Sequence, residues 1–186
     1  MRDMHDGVGG VLVSSIARLV AGAPDPRSVA DGLRAALEEL RLAIDSLASV
    51  EGDAATVLGI VRARLGARLG RSGIALDWRV GDLPALPDLG PENVLHLIRI
   101  VQEAIANAIR HSQARTLVVA AEVSGGADGR AIAIRIADDG RGLPPGPLAE
   151  RGLANMRRRA QLLGGELAVT SSPRGTTVEL RLPIVG

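Results

Sequence analysis

Between Pro91 and Arg110 the chain carries one helical pattern with two faces, and its fold must be built around that helix. Val94, Ile98, Val101, Ile105 and Ile109 recur at spacings of three and four, while His96, Arg99, Glu103, Asn107 and Arg110 line another side. Pro91 suits the first position of a helix, where its missing N–H costs nothing. The segments around this helix alternate in period. A helix is expected over 54–69 and a strand over 74–80, followed by a proline-bearing loop. Strands are expected over 117–123 and 132–137, joined by a Ser-Gly-Gly-Ala-Asp-Gly turn. After Asp138-Asp-Gly-Arg-Gly142 come a short proline-stiffened lid over 143–151, a helix over 153–163, and a hairpin of 166–170 with 177–182, whose Val178, Leu180 and Leu182 share a face. Together these read as an α+β unit, an α/β sandwich with helices covering one face of a largely antiparallel sheet.

The first third of the chain is different. Met4, Val8, Leu12 and Leu19 form a helical seam that lapses at Ser15, and Gly22-Ala-Pro-Asp-Pro26 breaks it. A second stripe occupies Leu33, Leu37, Leu40, Ile44 and Leu47. Two narrow apolar stripes joined by a short loop read as a helical hairpin, which alone buries too little and is expected to dimerise into a four-helix bundle. The pattern resets near Glu51-Gly-Asp53, so the expected domains are 1–52 and 53–186.

Composition removes several classes of function. The net charge of +1 gives no global field toward nucleic acid or membrane, and all the basic residues other than histidine are arginine. Cysteine is absent, which removes disulfides and thiolate metal sites. No apolar run reaches the roughly 18 residues of a membrane span, and no signal peptide is recognised, so the expected location is the cytoplasm.

Three elements point to one ligand chemistry. Glu103 and Asn107 lie one helical turn apart and share a face; a carboxylate beside an amide oxygen suits Mg²⁺, which keeps its waters and takes few protein ligands. Arg110 can reach phosphates from the same side. Asp138, at the end of a strand, can accept a hydrogen bond from an exocyclic amine, and Gly140 and Gly142 let backbone approach a ring or phosphate. Gly152 is expected to open a helix whose amides favour phosphate oxygens. Each element alone also reads blandly: a surface amide, an ordinary turn, and, at Gly164-Gly165, a helix C-cap.

The order and spacing of Gln102-Glu-Ala-Ile-Ala-Asn-Ala-Ile-Arg-His111, Asp138-Asp-Gly-Arg-Gly142, Arg151-Gly-Leu-Ala-Asn-Met156 with Leu163-Gly-Gly165, and Gly175-Thr-Thr-Val178 resemble the nucleotide boxes of the GHKL superfamily, which holds histidine kinases, DNA gyrase B, Hsp90 and MutL. The resemblance implies ATP and Mg²⁺ as cofactors. It makes Asn107 the Mg²⁺ ligand, Asp138 the adenine anchor and Glu103 the glutamate that serves the ATPase branches as a base. Arg110, His111, Gly140, Gly142, Gly152, Leu153 and Thr176 become the remaining ATP-binding positions.

Arg2-Asp-Met-His-Asp-Gly-Val-Gly-Gly10 resembles the H-box of the HisKA_3 class, the NarL/DesK-type sensor kinases. That likeness implies autophosphorylation of His5 with Asp6 as base. It also implies a homodimer and phosphotransfer to the receiver domain of a response regulator with a LuxR/NarL-type output. Only four residues precede His5 where the class carries more of the helix, so a fragment or an unusually early start is expected. The sensor region is then missing, and any inner-membrane anchor of the parent protein would lie within it. The class's phosphatase pattern sets a glutamine four residues after the aspartate, where this chain has Gly10. Glycines at 7, 9 and 10 each cost a helix roughly 1 kcal/mol against alanine. The alternatives are an ATP-binding, dimerising regulatory module without autokinase activity, a serine kinase of the anti-sigma type, and a gyrase-like ATPase. The last would need a transducer domain, and the serine kinases lack the His-Asp hairpin. His96 and His111 have no partners at metal-ligand spacing and read as helix residues, His111 close to the site.

Overall fold

The computed structural model describes residues 52–126, 129–143 and 147–184. The hairpin expected over 1–52, with His5, Asp6 and Gly10, lies outside them except for Gly52. The described chain runs α1 (Ala54–Ser72), β1 (Ala75–Val80), α2 (Pro91–Asn107), a π turn (Ala108–Ser112), β2 (Thr116–Gly126), β3 (Gly129–Asp138), α3 (Pro147–Leu162), β4 (Glu166–Ser172) and β5 (Gly175–Pro183). Asp53 caps α1: one carboxylate oxygen accepts the Thr56 N–H at 3.0 Å and the other accepts its hydroxyl at 2.5 Å. These contacts, the side-chain one foremost, hold the Asp53 carboxyl below its ordinary 3.8.

Five strands form one sheet in the order β1-β2-β3-β5-β4. β1 lies parallel to β2 and the other pairs are antiparallel. A parallel pair needs a crossover, and α2 supplies it. Alternation settles which face is covered. Leu117 and Val119 of β2, Ile132, Ile134 and Ile136 of β3, and Val178, Leu180 and Leu182 of β5 are all buried. Their intervening neighbours Ala120, Arg135, Thr177 and Arg181 are half-buried or exposed. The single aromatic, Trp78, stands on the edge strand with the Arg62 guanidinium 5.6 Å from its ring centroid.

The central helix departs from its expected two-faced form. Val94, Ile98, Val101 and Ile105 are buried as the spacing implies, but so are Leu95, Leu97 and Ile100. α2 packs on β3 on one side and on α1 and α3 on the others, so its flanks are interior too. His96, expected on the polar side, is only 3% exposed, with Nδ1 3.5 Å from the Arg159 guanidinium of α3. Ile109 leaves the apolar stripe because the helix widens into the π turn after Asn107, which shifts the phase of the residues beyond it.

Two further boundaries need correction. α3 begins at Pro147, not Leu153, because Pro147 can occupy the first helical turn without an N–H to satisfy. The expected lid therefore loses residues 147–151 to the helix, and residues 144–146 lie outside the described ones. Gly164-Gly165 closes α3 as a C-cap: Gly164 has φ +66° and donates to the Gln161 carbonyl at 3.0 Å, while Gly165 donates to Ala160 at 2.9 Å. Among the described residues no helix is long and apolar enough to cross a membrane.

Candidate functional site

The period-two alternation that buries β3 does not stop at Ile136. Asp138 falls on the same covered face two residues on, where the helices no longer fill the space, so a carboxylate ends an apolar row. Thr176 does the same at the start of β5, ahead of Val178, Leu180 and Leu182, and is only 7% exposed. The end of α2 supplies the third wall. A cleft partly open to solvent is lined there by Ala104, Asn107, Ala108, His111 and Ser112. Ile136, Asp138, Gly142, Leu143, Leu153, Met156, Thr176 and Val178 complete it. Six of the expected site residues (Asn107, His111, Asp138, Gly142, Leu153 and Thr176) thus share one cleft. Most of its lining is apolar, and its polar side chains are one carboxylate (Asp138), one amide (Asn107), one imidazole (His111) and two hydroxyls (Ser112 and Thr176). That mixture suits a flat heterocycle with a polar edge.

The loop after β3 is fixed against the π turn. Asp138 accepts the Gly140 N–H at 2.9 Å, which turns the chain. Gly140 is buried on Ser112, and a Cβ there would land on the Ser112 carbonyl and 2.6 Å from its Cβ. Gly142 has φ +82°, and a Cβ on it would overlap the Ser172 carbonyl. The Arg141 N–H and Nε–H donate to the carbonyls of Ser112 and His111, at 2.8 and 2.9 Å. Asp139 accepts the N–H groups of Arg115 and Thr116 at 2.8 and 2.9 Å. Those bonds, Thr116 foremost, hold the Asp139 carboxyl below its ordinary 3.8. The paired carboxylates of the motif therefore divide their work. Asp139 ties the loop to β2, and Asp138 faces the cleft.

The remaining expected residues sit around the rim. Gly152 does not open a helix; it lies within α3, one turn and more past its start, so its N–H is not among the free terminal amides. Its absent side chain matters instead for packing, since a Cβ there would sit 3.2 Å from Glu103 Oε1 and 4.0 Å from the Asn107 amide. Arg110 is exposed and turns back along its helix, donating to the Ala106 carbonyl at 3.2 Å with Glu103 Oε2 at 3.9 Å. It does not line the cleft. Asn107 and Glu103 of α2 bring an amide and a carboxylate toward the same residue of α3, Gly152. Among the described residues no three His, Cys, Asp or Glu side chains gather into a cage. A cation there would rest on few protein oxygens plus those of its ligand, which is the habit of Mg²⁺.

Sequence reasoning missed Ser112, which is buried, donates to the Ala108 carbonyl at 2.6 Å and accepts the Ala114 N–H at 3.0 Å. It also missed Ser171, which accepts the Leu143 N–H at 2.8 Å and lies 3.5 Å from the Thr176 hydroxyl. Hydroxyls outside a spaced motif leave no periodic trace. Ser171 alone had a local signal, the Ser171-Ser172 pair ahead of the Gly175 turn.

Residues 92–186 match the family model described as histidine kinase-, DNA gyrase B-, and HSP90-like ATPase. The chain belongs to this ATPase family. Its cleft lies within the matched region. Similar curated proteins include the signal transduction histidine-protein kinase/phosphatase UhpB of Salmonella typhimurium, 34% identical over 58% of this chain and 20% of that protein. The sensor histidine kinase LiaS of Bacillus subtilis is 32% identical over 60% of this chain and 29% of its own length. The sensor histidine kinase NarS of Mycobacterium tuberculosis is 31% identical over 82% of this chain and 35% of its own. This chain thus spans between 20% and 35% of those three relatives. Among solved structures, the histidine kinase domain of the Erythrobacter litoralis EL346 blue-light activated kinase aligns with TM-score 0.61 at 21% identity, covering 95% of this chain and 83% of that one. The Acinetobacter baumannii histidine kinase AdeS aligns with TM-score 0.62 at 16% identity over 98% of both chains. These likenesses show the fold.

Proposed function

We propose that this ATPase-family chain is the catalytic end of a two-component sensor histidine kinase of the HisKA_3 class, which phosphorylates its own His5 from ATP and passes the phosphate to an aspartate of a response regulator. The observation that carries the reading is the single cleft that Asn107 and Asp138 both line, in a chain whose curated relatives are sensor kinases. Asp138 accepts the exocyclic amine of adenine at the base end. Asn107 would hold Mg²⁺ at the phosphate end, with Glu103 on the same helical face beside it, and the cation would supply charge neutralisation for the phosphates.

Phosphoryl transfer asks the protein mostly for positioning and charge neutralisation. A neutral ring nitrogen of His5 bonds to the γ-phosphorus as the bond to the bridging oxygen breaks, and ADP leaves with that electron pair. Asp6 takes the proton from the other ring nitrogen. The unperturbed imidazole pKa of about 6.5 leaves most of the ring neutral at cytoplasmic pH. The 1–52 hairpin dimerises the protein and presents His5. A receiver domain, paired with a LuxR/NarL-type output, accepts the phosphate in the cytoplasm, and a membrane anchor belongs to the parent protein's sensor region.

Incubation with γ-³²P-ATP and Mg²⁺ tests this. Wild type is expected to gain acid-labile, alkali-stable label that His5→Gln and Asn107→Asp both lose. Undiminished label in His5→Gln would remove the phosphoacceptor and with it the reading.

A further inference from the structure

Arg141 stands between the two glycines that line and close the cleft, yet its side chain is not among the residues lining it. It is exposed, and its Nε–H reaches the carbonyl of His111 at 2.9 Å while its own N–H reaches the next carbonyl, Ser112, at 2.8 Å. Those two carbonyls belong to the last turn after α2, where the helix offers its carbonyls no donors of its own and carries the negative end of its dipole. The guanidinium, thirty residues away in the chain, caps the His111 carbonyl, and the backbone N–H of the same residue caps that of Ser112. Asn107 is the residue from which that turn springs, and Gln113 at φ +55° ends it. Asp138 lies three residues before Arg141 and is tied to Gly140. The side chain therefore bridges the stretch that carries the amide at one end of the cleft and the loop that carries the carboxylate at the other.

We propose that Arg141 is a positioning residue that couples the two ends of the nucleotide site: by capping the π turn it holds Asn107 in register with the loop of Asp138, so that the cation-dependent part of nucleotide affinity depends on it. The proposal rests on the nucleotide reading of the cleft. Coupling of this kind is an interaction free energy, and it shows as a difference of affinities. A charged guanidinium that merely touched phosphate would act on ADP with or without a cation. A cap that places Asn107 acts only where Asn107 is used.

The test is a calorimetric titration of the full chain with ADP, once with Mg²⁺ and once with EDTA, for wild type, Arg141→Ala, Asn107→Ala and the double variant. Wild type is expected to gain affinity with Mg²⁺. Arg141→Ala should keep the EDTA affinity within about twofold and lose about fivefold of the Mg²⁺-dependent gain, the size of one hydrogen bond. In the Asn107→Ala background the same change should cost nothing further. The melting temperature without nucleotide should fall by less than about 4 °C, since the side chain is exposed. An unchanged Mg²⁺-dependent gain in Arg141→Ala overturns the proposal, as does an equal loss in EDTA and in Mg²⁺. If wild type binds no ADP, the nucleotide reading fails first and this proposal falls with it.

Discussion

A methyl group added at Gly140 would land on the carbonyl of Ser112, and neither partner can retreat cheaply. Ser112 is buried and bonded through its hydroxyl to Ala108 and Ala114, while the Arg141 N–H holds the same carbonyl. Gly140→Ala should therefore cost about 1–3 kcal/mol of stability, the usual range for overpacking a rigid contact, and weaken nucleotide binding with it. Thermal denaturation in the presence and absence of ADP checks both effects. An unshifted melting curve would mean that the loop and the π turn separate easily. The spacing of Asp138, Gly140 and Gly142 made the loop legible as a close approach of backbone to something. What the backbone approaches, Ser112, is 28 positions away in the chain and carries no signal of its own. The same holds for Asp139, whose partners Arg115 and Thr116 are neighbours only once β2 and β3 pair in register, Leu117 opposite Asp138.

At the scale of elements, the sequence marks starts better than it marks neighbours. Asp53 ahead of an apolar period is a helix-start signal, and it caps α1. Its carboxyl is held below 3.8, so the cap's contribution is complete above that value and disappears as pH falls through the lowered one. Asp53→Ala should cost about 1 kcal/mol at neutral pH and progressively less toward strong acid. Urea melts across the acid range test this, and a cost that stays constant with pH would contradict it. The buried stripe of α2 was readable from spacing, because one face of a helix on a sheet obeys the 3.6-residue period. The burial of His96 was not, since it comes from α3 closing over the other flank, which no local pattern in α2 records. α3 itself was expected six residues late: the prolines at 144, 145 and 147 read as loop, although the last is at home in a first helical turn. With that boundary moved, Gly152 changes its work from phosphate amide to a gap that admits Glu103.

For the described unit as a whole, one geometric fact organises the rest. A sheet covered on one face by three helices leaves a cleft where the rows of β3 and β5 run out from under α2, and the polar residues that end those rows meet there. The family match covers that region, and the boxes in the sequence fall on its walls. The kinase reading adds a second unit, the proposed His5 hairpin. The proposed base recognition by Asp138 belongs to the described unit alone. Asp138 is an acceptor, and adenine presents an amine where guanine presents a carbonyl. Competitive titration of ADP against GDP, on wild type and Asp138→Asn, is therefore the measurement to make. Wild type is expected to bind ADP and to discriminate against GDP by at least about tenfold, with Asp138→Asn losing at least about tenfold in ADP affinity. Equal affinity of wild type for the two nucleotides, or ADP bound as tightly by Asp138→Asn, would contradict the assignment of Asp138 as the base anchor.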